Sequence, residues 1–92
     1  MSGVMDRADI LDRIRELAAS TCPGLTAADI VESATFNTLG LDSVRLVELG
    51  VRLEQTFGER VIVDDWIDQE AARGDEGYTV GSLVSFIERS MT

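Results

Sequence analysis

Residues 39–57 read LGLDSVRLVELGVRLEQTF, and this stretch decides the fold. From Ser43 onward its apolar residues recur every three or four positions, which is the spacing of an amphipathic helix. Asp42 and Ser43 are both preferred helix caps, and Gly58 is a typical residue at a helix end. The stretch therefore predicts a helix from about Ser43 to Phe57.

The predicted helix carries two apolar stripes. At roughly 100° per residue, the stripe expected to face the core comprises Leu46, Leu49, Gly50, Leu53 and Phe57. A second stripe lies more than about 90° away and comprises Val44, Val47 and Val51. A domain built from four short helices cannot bury both stripes fully. The valines therefore either form a docking surface or pack beneath a loop.

Three further helices are predicted around this one. Apolar spacing indicates a first helix over about residues 6–20 and a short third helix over about residues 64–72. Thr79 is placed to cap a last helix, whose apolar face comprises Val80, Leu83, Val84, Ile87 and Met91. The predicted fold is all-α. It is a small four-helix bundle with three longer helices and one short one, in a single domain over residues 1–92.

The connection before the central helix contains one local signal. Thr26 and Asp29 have the spacing of a capping box, in which the acidic side chain reaches back to the cap residue. This pattern predicts one short helical turn. Phe36 and Leu39 follow in the same connection, and we expect both to plug the core.

The second half of the chain contains three ambiguous stretches. Residues 61–63 are β-branched, but a three-residue strand has no predicted partner, so an extended link is expected. Trp66 is interpreted as a core residue, with a partner-specific surface as the alternative. Residues 74–77 predict an acidic loop.

The charge balance is strongly acidic. The 92 residues include 8 basic and 17 acidic side chains, which gives a formal net charge of −9. Such a surface repels the phosphate backbone, which argues against a nucleic-acid partner. It suits partners with basic docking patches, although acidic residues also simply keep a small protein soluble.

Several side chains that carry enzyme chemistry are missing. The sequence contains no histidine and no lysine, which excludes a Ser-His-Asp hydrolase and leaves no base to activate a serine. Cys22 is the one cysteine, so neither an internal disulfide nor a cysteine–histidine zinc site is expected. The N-terminal residues lack the continuous apolar run of a signal peptide or membrane span. A cytoplasmic protein with no membrane association is therefore expected.

Ser43 has two possible roles. As a cap, it would bond to backbone N–H groups at the start of the helix. Because helix N-termini also favour anions, a serine there is well placed to carry a phosphate-linked group. Another enzyme would have to attach that group.

The motif LGLDSVRLVELGVRLEQTFG resembles the signature of acyl carrier proteins, in which Leu-Gly-x-Asp-Ser precedes Val-Glu-Leu and a Leu-Glu-x-x-Phe tail. The resemblance implies that Ser43 receives a 4′-phosphopantetheine arm from coenzyme A. A separate phosphopantetheinyl transferase would attach it. Acyl intermediates would then travel as thioesters on the arm, and the chain itself would not be an enzyme.

The resemblance also assigns roles to neighbouring residues. Asp42, before the serine, would help to position the metal and substrate of the transferase. Glu48 would contact partner enzymes. Val44 and Val51 would insert into partner surfaces, and Val47, on the same stripe, belongs to the same predicted docking face.

Some residues depart from the pattern of fatty-acid carriers. Arg45 stands where those carriers often have an acidic residue, and Arg52 lies one turn after Glu48. These departures favour a free-standing monomeric carrier of a specialised polyketide or hybrid pathway. Its partners would be a loading enzyme and a ketosynthase or condensation-type enzyme. The alternatives are a peptidyl or aminoacyl carrier and a protein-interaction module that carries no arm.

Overall fold

Four α-helices form most of the described chain, which covers residues 6–58, 60–74 and 77–91 of the computed structural model. They are α1 (Arg7–Thr21), α2 (Ser43–Phe57), α3 (Val63–Ala71) and α4 (Val80–Met91). A single turn of 3-10 helix, Ala27–Asp29, lies between α1 and α2. Within these ranges there is no strand, so the predicted all-α four-helix bundle is confirmed. None of the described helices is both long and apolar enough to cross a membrane.

Side-chain caps lie at the starts of α1 and α4. Asp6 Oδ1 accepts a hydrogen bond from the Asp9 N–H at 2.9 Å, and so α1 starts one residue later than predicted. Thr79 Oγ1 accepts from the Ser82 N–H at 3.1 Å, which confirms the predicted cap of α4. Each of these bonds satisfies an N–H group that has no partner within its own helix.

The connection from α1 to α2 follows the predicted local signals. Asp29 Oδ2 accepts hydrogen bonds from the backbone N–H and the hydroxyl of Thr26, at 3.3 and 2.8 Å. Phe36 is fully buried and Leu39 packs half-buried against the core, so both are core plugs as expected. The Phe36 N–H donates to Tyr78 O at 2.9 Å, which ties this connection to the start of α4.

Trp66 of α3 is a buried member of the hydrophobic core. Its ring meets Phe36 and Tyr78 edge to face, with centroid distances of 5.9 and 5.8 Å. Its Nε1–H donates to Ser82 Oγ at 3.1 Å, so the one polar atom of the indole is satisfied. Trp66 is therefore a core residue, as interpreted from the sequence.

The packing of α3 against α2 depends on one glycine. A Cβ atom at Gly50 would lie 3.0 Å from Val63 Cγ1, closer than side chains normally pack. Val61 and Val63 are buried while Ile62 is half-exposed. The extended link predicted over residues 61–63 is confirmed at Ile62, where φ is −106° and ψ is 92°, and is wrong at Val63, which is the first residue of α3. Helix α3 begins at Val63, one residue earlier than predicted, and this first residue packs on Gly50.

A buried carboxylate holds the segment that follows α3. Glu70 is 3% exposed, and its Oε1 accepts from the Tyr78 N–H at 2.9 Å. Arg73 Nη1 donates to the same carboxylate at 3.3 Å. These bonds fix Tyr78 against α3. The acidic residues of the predicted 74–77 loop, Asp75 and Glu76, lie outside the described residues.

Candidate functional site

Ser43 is the first residue of α2, and the cap of this helix is Asp42. Asp42 Oδ1 accepts from the Arg45 N–H at 2.9 Å. Ser43 is exposed, and its hydroxyl makes no hydrogen bond to any other described residue. A capping role for Ser43 is therefore wrong. Because Asp42 already satisfies the helix end, the serine hydroxyl is left open to solvent.

The surroundings of Ser43 favour a negatively charged group. The N–H groups in the first turn of a helix concentrate partial positive charge, and phosphate esters bind well there. Among these N–H groups, that of Arg45 is already bonded to the Asp42 carboxylate, and the first turn itself contains no further acidic side chain. An exposed hydroxyl at such a place fits a phosphodiester-linked group.

A groove of about 460 Å³ opens beside Ser43. Its walls come from α2, from the connection before α2, from α3 and from the residues just before α4. They include Ser43, Val47, Phe36, Leu41, Ile67 and Tyr78. Glu70 fixes the far wall through its bond to the Tyr78 N–H. The groove would give a chain attached to Ser43 a partly apolar surface to lie against.

Ile67 and Tyr78 were not singled out as site residues by the sequence. Both are remote from Ser43 along the chain and reach the groove only through the packing of α3. Tyr78 has a positive φ of 61°, which is unusual for a residue other than glycine. The sequence around Tyr78 does not predict this part of the groove, because it depends on a tertiary hydrogen bond between the Tyr78 N–H and Glu70.

The predicted docking valines are exposed on one face of α2. Val44, Val47 and Val51, here called the valine row, are 66, 53 and 50% exposed. The alternative that they pack beneath a loop is wrong. Val47 also contributes to the rim of the groove beside Ser43. An exposed apolar row of this kind is typical of a protein contact.

Charged residues lie next to the valine row. Glu48 is exposed, and its Oε2 lies 3.5 Å from Arg45 Nη1. Arg45 Nη1 also donates to Thr21 O at 3.0 Å, and Arg52 Nη1 donates to Ser20 Oγ at 3.2 Å. Both arginines therefore contact the C-terminal end of α1, a contact that sequence reasoning missed. One feature of the sequence could have suggested this contact. The last turn of α1 contains no basic residue, so its C-terminal carbonyl groups are suited to a cation from another element.

Comparisons with known proteins agree with this geometry. The family model described as a phosphopantetheine attachment site matches residues 12–69. The chain is 35% identical over 83 residues to the acyl carrier protein of Sinorhizobium fredii (strain NBRC 101917 / NGR234), which covers 89% of this chain and 95% of that protein. The acyl carrier protein AcpP of Rhizobium meliloti (strain 1021) gives the same identity and coverage. No solved structure gives a significant match.

The chain therefore belongs to the acyl carrier protein family. It is a carrier that bears 4′-phosphopantetheine and not an enzyme. Such a carrier interacts with enzymes that modify it and with enzymes that handle its acyl groups.

Proposed function

We propose that Ser43 is the attachment residue, and that the chain delivers acyl intermediates in a specialised polyketide or hybrid pathway. The observation that carries the attachment proposal is the exposed Ser43 hydroxyl, which has no partner among the described residues, at the N-terminus of α2. When bound, the arm supplies a thiol on which acyl groups are held as thioesters.

The other described serines support this assignment by contrast. Four of them are engaged in hydrogen bonds with a side chain or a carbonyl: Ser20, Ser82, Ser85 and Ser90. Ser33 is exposed, but it lies in a turn and not at the start of an α-helix. Ser43 alone in this set combines an exposed hydroxyl, no intramolecular partner and a helix N-terminus.

The proposed attachment leaves the proton to another protein. Ser43 Oγ forms a bond to the phosphorus of coenzyme A that carries pantetheine, and adenosine 3′,5′-bisphosphate leaves. The chain has no histidine or lysine, so a base of the transferase takes the hydroxyl proton. We assign to Asp42 the positioning of the transferase metal, since its Oδ1 holds the Arg45 N–H while Oδ2 has no partner in the described chain.

The proposed docking face consists of the valine row together with Glu48. Exposure of each valine to at least half of its surface supports this role. Partners would be the phosphopantetheinyl transferase, a loading enzyme, and a ketosynthase or condensation-type enzyme. The carrier is proposed to be a cytoplasmic monomer. Its contacts must be short-lived, because it visits each partner in turn.

Intact-mass analysis tests the attachment. The protein is incubated with coenzyme A and a broad-specificity phosphopantetheinyl transferase, and the mass is compared before and after. The wild-type chain should gain one phosphopantetheine group, and S43A should gain none. S33A, which removes another exposed serine hydroxyl, should behave as the wild type. A folded wild-type chain that stays unmodified, or an S43A chain that gains the group, would overturn the assignment.

A further inference from the structure

A row of alternating charge runs along α2 beside the valine row. This charged row comprises Arg45, Glu48 and Arg52. Its members are spaced by three and four residues, as are those of the valine row, and each lies one position further along the chain. The two rows therefore run side by side over two turns of the helix.

The charge of this face contrasts with the rest of the molecule. The chain as a whole has a formal net charge of −9. In α2, two arginines and two glutamates cancel, and the charged row taken alone is positive because it holds two arginines and one glutamate. All of the net negative charge therefore lies outside α2.

The arginines of the charged row are held in place. Arg45 bonds to Thr21 O and lies beside Glu48, while Arg52 bonds to Ser20 Oγ. Each uses only Nη1 in the contacts of the described chain, so Nε and Nη2 remain available. The Arg45 side chain is 45% exposed. Fixed guanidinium groups with spare donors are suited to binding carboxylates.

We propose, on the basis of the carrier function above, that the charged row selects partners with the complementary pattern. The partner surface would present two carboxylates roughly 10 Å apart, the rise over seven helical residues, with a basic side chain between them. An apolar patch beside them would receive the valine row. The face thus fits an enzyme with an acidic docking edge.

The same row disfavours partners with a uniformly basic patch. The net charge of the chain attracts such a patch over long distances, but docking on α2 would set like charges against Arg45 and Arg52. Within the charged row, Glu48 alone would gain an ion pair there. Attraction of one partner and repulsion of its competitor together give specificity.

A competition between two carriers tests the proposal. Wild-type chain and R45E/R52E are mixed in equal amounts with coenzyme A and a transferase whose carrier-binding surface is basic. Mass spectrometry then gives the ratio of the two modified products. The experiment is repeated with a variant of that transferase in which two surface arginines are replaced by glutamate. Because each ratio compares two substrates of one enzyme, differences in intrinsic transferase activity cancel.

The preference should invert between the two transferases. We expect the basic surface to favour R45E/R52E by about tenfold and the acidic surface to favour the wild type by a similar factor, as several exposed ion pairs would give. R13E is the control for a charge change away from α2, because Arg13 forms an (i, i+3) ion pair with Glu16 on α1 and its side chain is 48% exposed. It should show no inversion.

Three results would overturn the proposal. These are an unchanged ratio with both surfaces, a preference of the basic surface for the wild type, and the same inversion with R13E, which would reveal a net-charge effect.

R45Q/R52Q keeps donors for Thr21 and Ser20 and should show a smaller shift in the same direction, even if R45E/R52E is unstable. If the broad-specificity transferase also fails to modify the wild type, then the attachment proposal fails as well; modification without inversion refutes the charged row alone.

Discussion

Two adjacent residues divide two tasks at the start of α2. Asp42 holds the helix end by accepting from the Arg45 N–H, while the Ser43 hydroxyl stays exposed and without a partner among the described residues. A serine that also served as the cap would tie the helix end to whatever group is attached to its oxygen. The division separates the stability of α2 from the proposed modification of Ser43.

The first prediction follows from this division. Asp42→Ala should lower the free energy of unfolding by about 1 kcal/mol, because a helix cap is lost. Ser43→Ala should change it by less than about 0.5 kcal/mol, as expected for an exposed side chain without contacts. Urea denaturation followed by circular dichroism measures both. Equal losses in the two variants would mean that Ser43 also supports the helix.

The sequence carried part of this information. The Asp-Ser pair before an apolar helical pattern indicated a helix start and a candidate attachment residue. It did not show which of the two residues is the cap, because aspartate and serine both cap helices well. That choice depends on backbone geometry, which places Asp42 in an extended conformation with ψ of −178° just before the first helical residue.

The α2 helix buries one face and leaves another without a partner in the described chain. Leu49 and Leu53 are fully buried, and Gly50 permits the close approach of Val63. The valine row is at least half exposed on another face. Helical periodicity predicted both faces, since the angle between positions is fixed by the helix itself. It could not predict the contacts of Arg45 and Arg52, which require α1 to end beside α2.

The second prediction concerns the exposed face. Val44→Asp or Val51→Asp should leave the free energy of unfolding within about 0.5 kcal/mol of the wild type, because no core contact is lost. Either change should lower kcat/KM for modification by a broad-specificity transferase, since the apolar contact is replaced by a charge.

Val31→Asp provides the control for this prediction. Val31 is 43% exposed and lies outside α2, so it adds the same charge away from the valine row. Its kcat/KM should match that of the wild type. Loss of folding in V44D, or an equal loss of kcat/KM in V31D, would contradict the docking role of the valine row.

At the scale of the whole molecule, Trp66 joins the parts of the chain that surround the groove. It contacts Phe36 of the connection before α2, Tyr78 beside the groove and Ser82 of α4. Its role in the core could be predicted from its size and apolar neighbours. Its link to Tyr78 could not, because that contact depends on the buried Glu70 carboxylate.

The third prediction is that Trp66 is essential for stability. Trp66→Ala should lower the free energy of unfolding by about 3–5 kcal/mol, as for other large aromatic residues removed from a core. This loss is a large share of the stability of a small domain. Thermal unfolding followed by circular dichroism at 222 nm measures it. A loss below about 1 kcal/mol would contradict an essential role of Trp66 in the stability of the core.

The cargo distinguishes the proposed pathway from its alternative. Protein isolated from its own host should carry a ketide-type acyl group as a thioester, which mass spectrometry identifies from the mass of the ejected arm. An aminoacyl group on the arm would instead assign the chain to nonribosomal-type synthesis.

The central claim is that Ser43 carries the arm, and tandem mass spectrometry of one tryptic peptide tests it most directly. Cleavage after Arg15 and Arg45 releases residues 16–45, which contain Ser43 together with the serines at positions 20 and 33. In protein purified from its host, phosphopantetheine should be found on Ser43 of this peptide. An unmodified peptide from protein that carries the group elsewhere, or a group located on another hydroxyl of the same peptide, would contradict the claim.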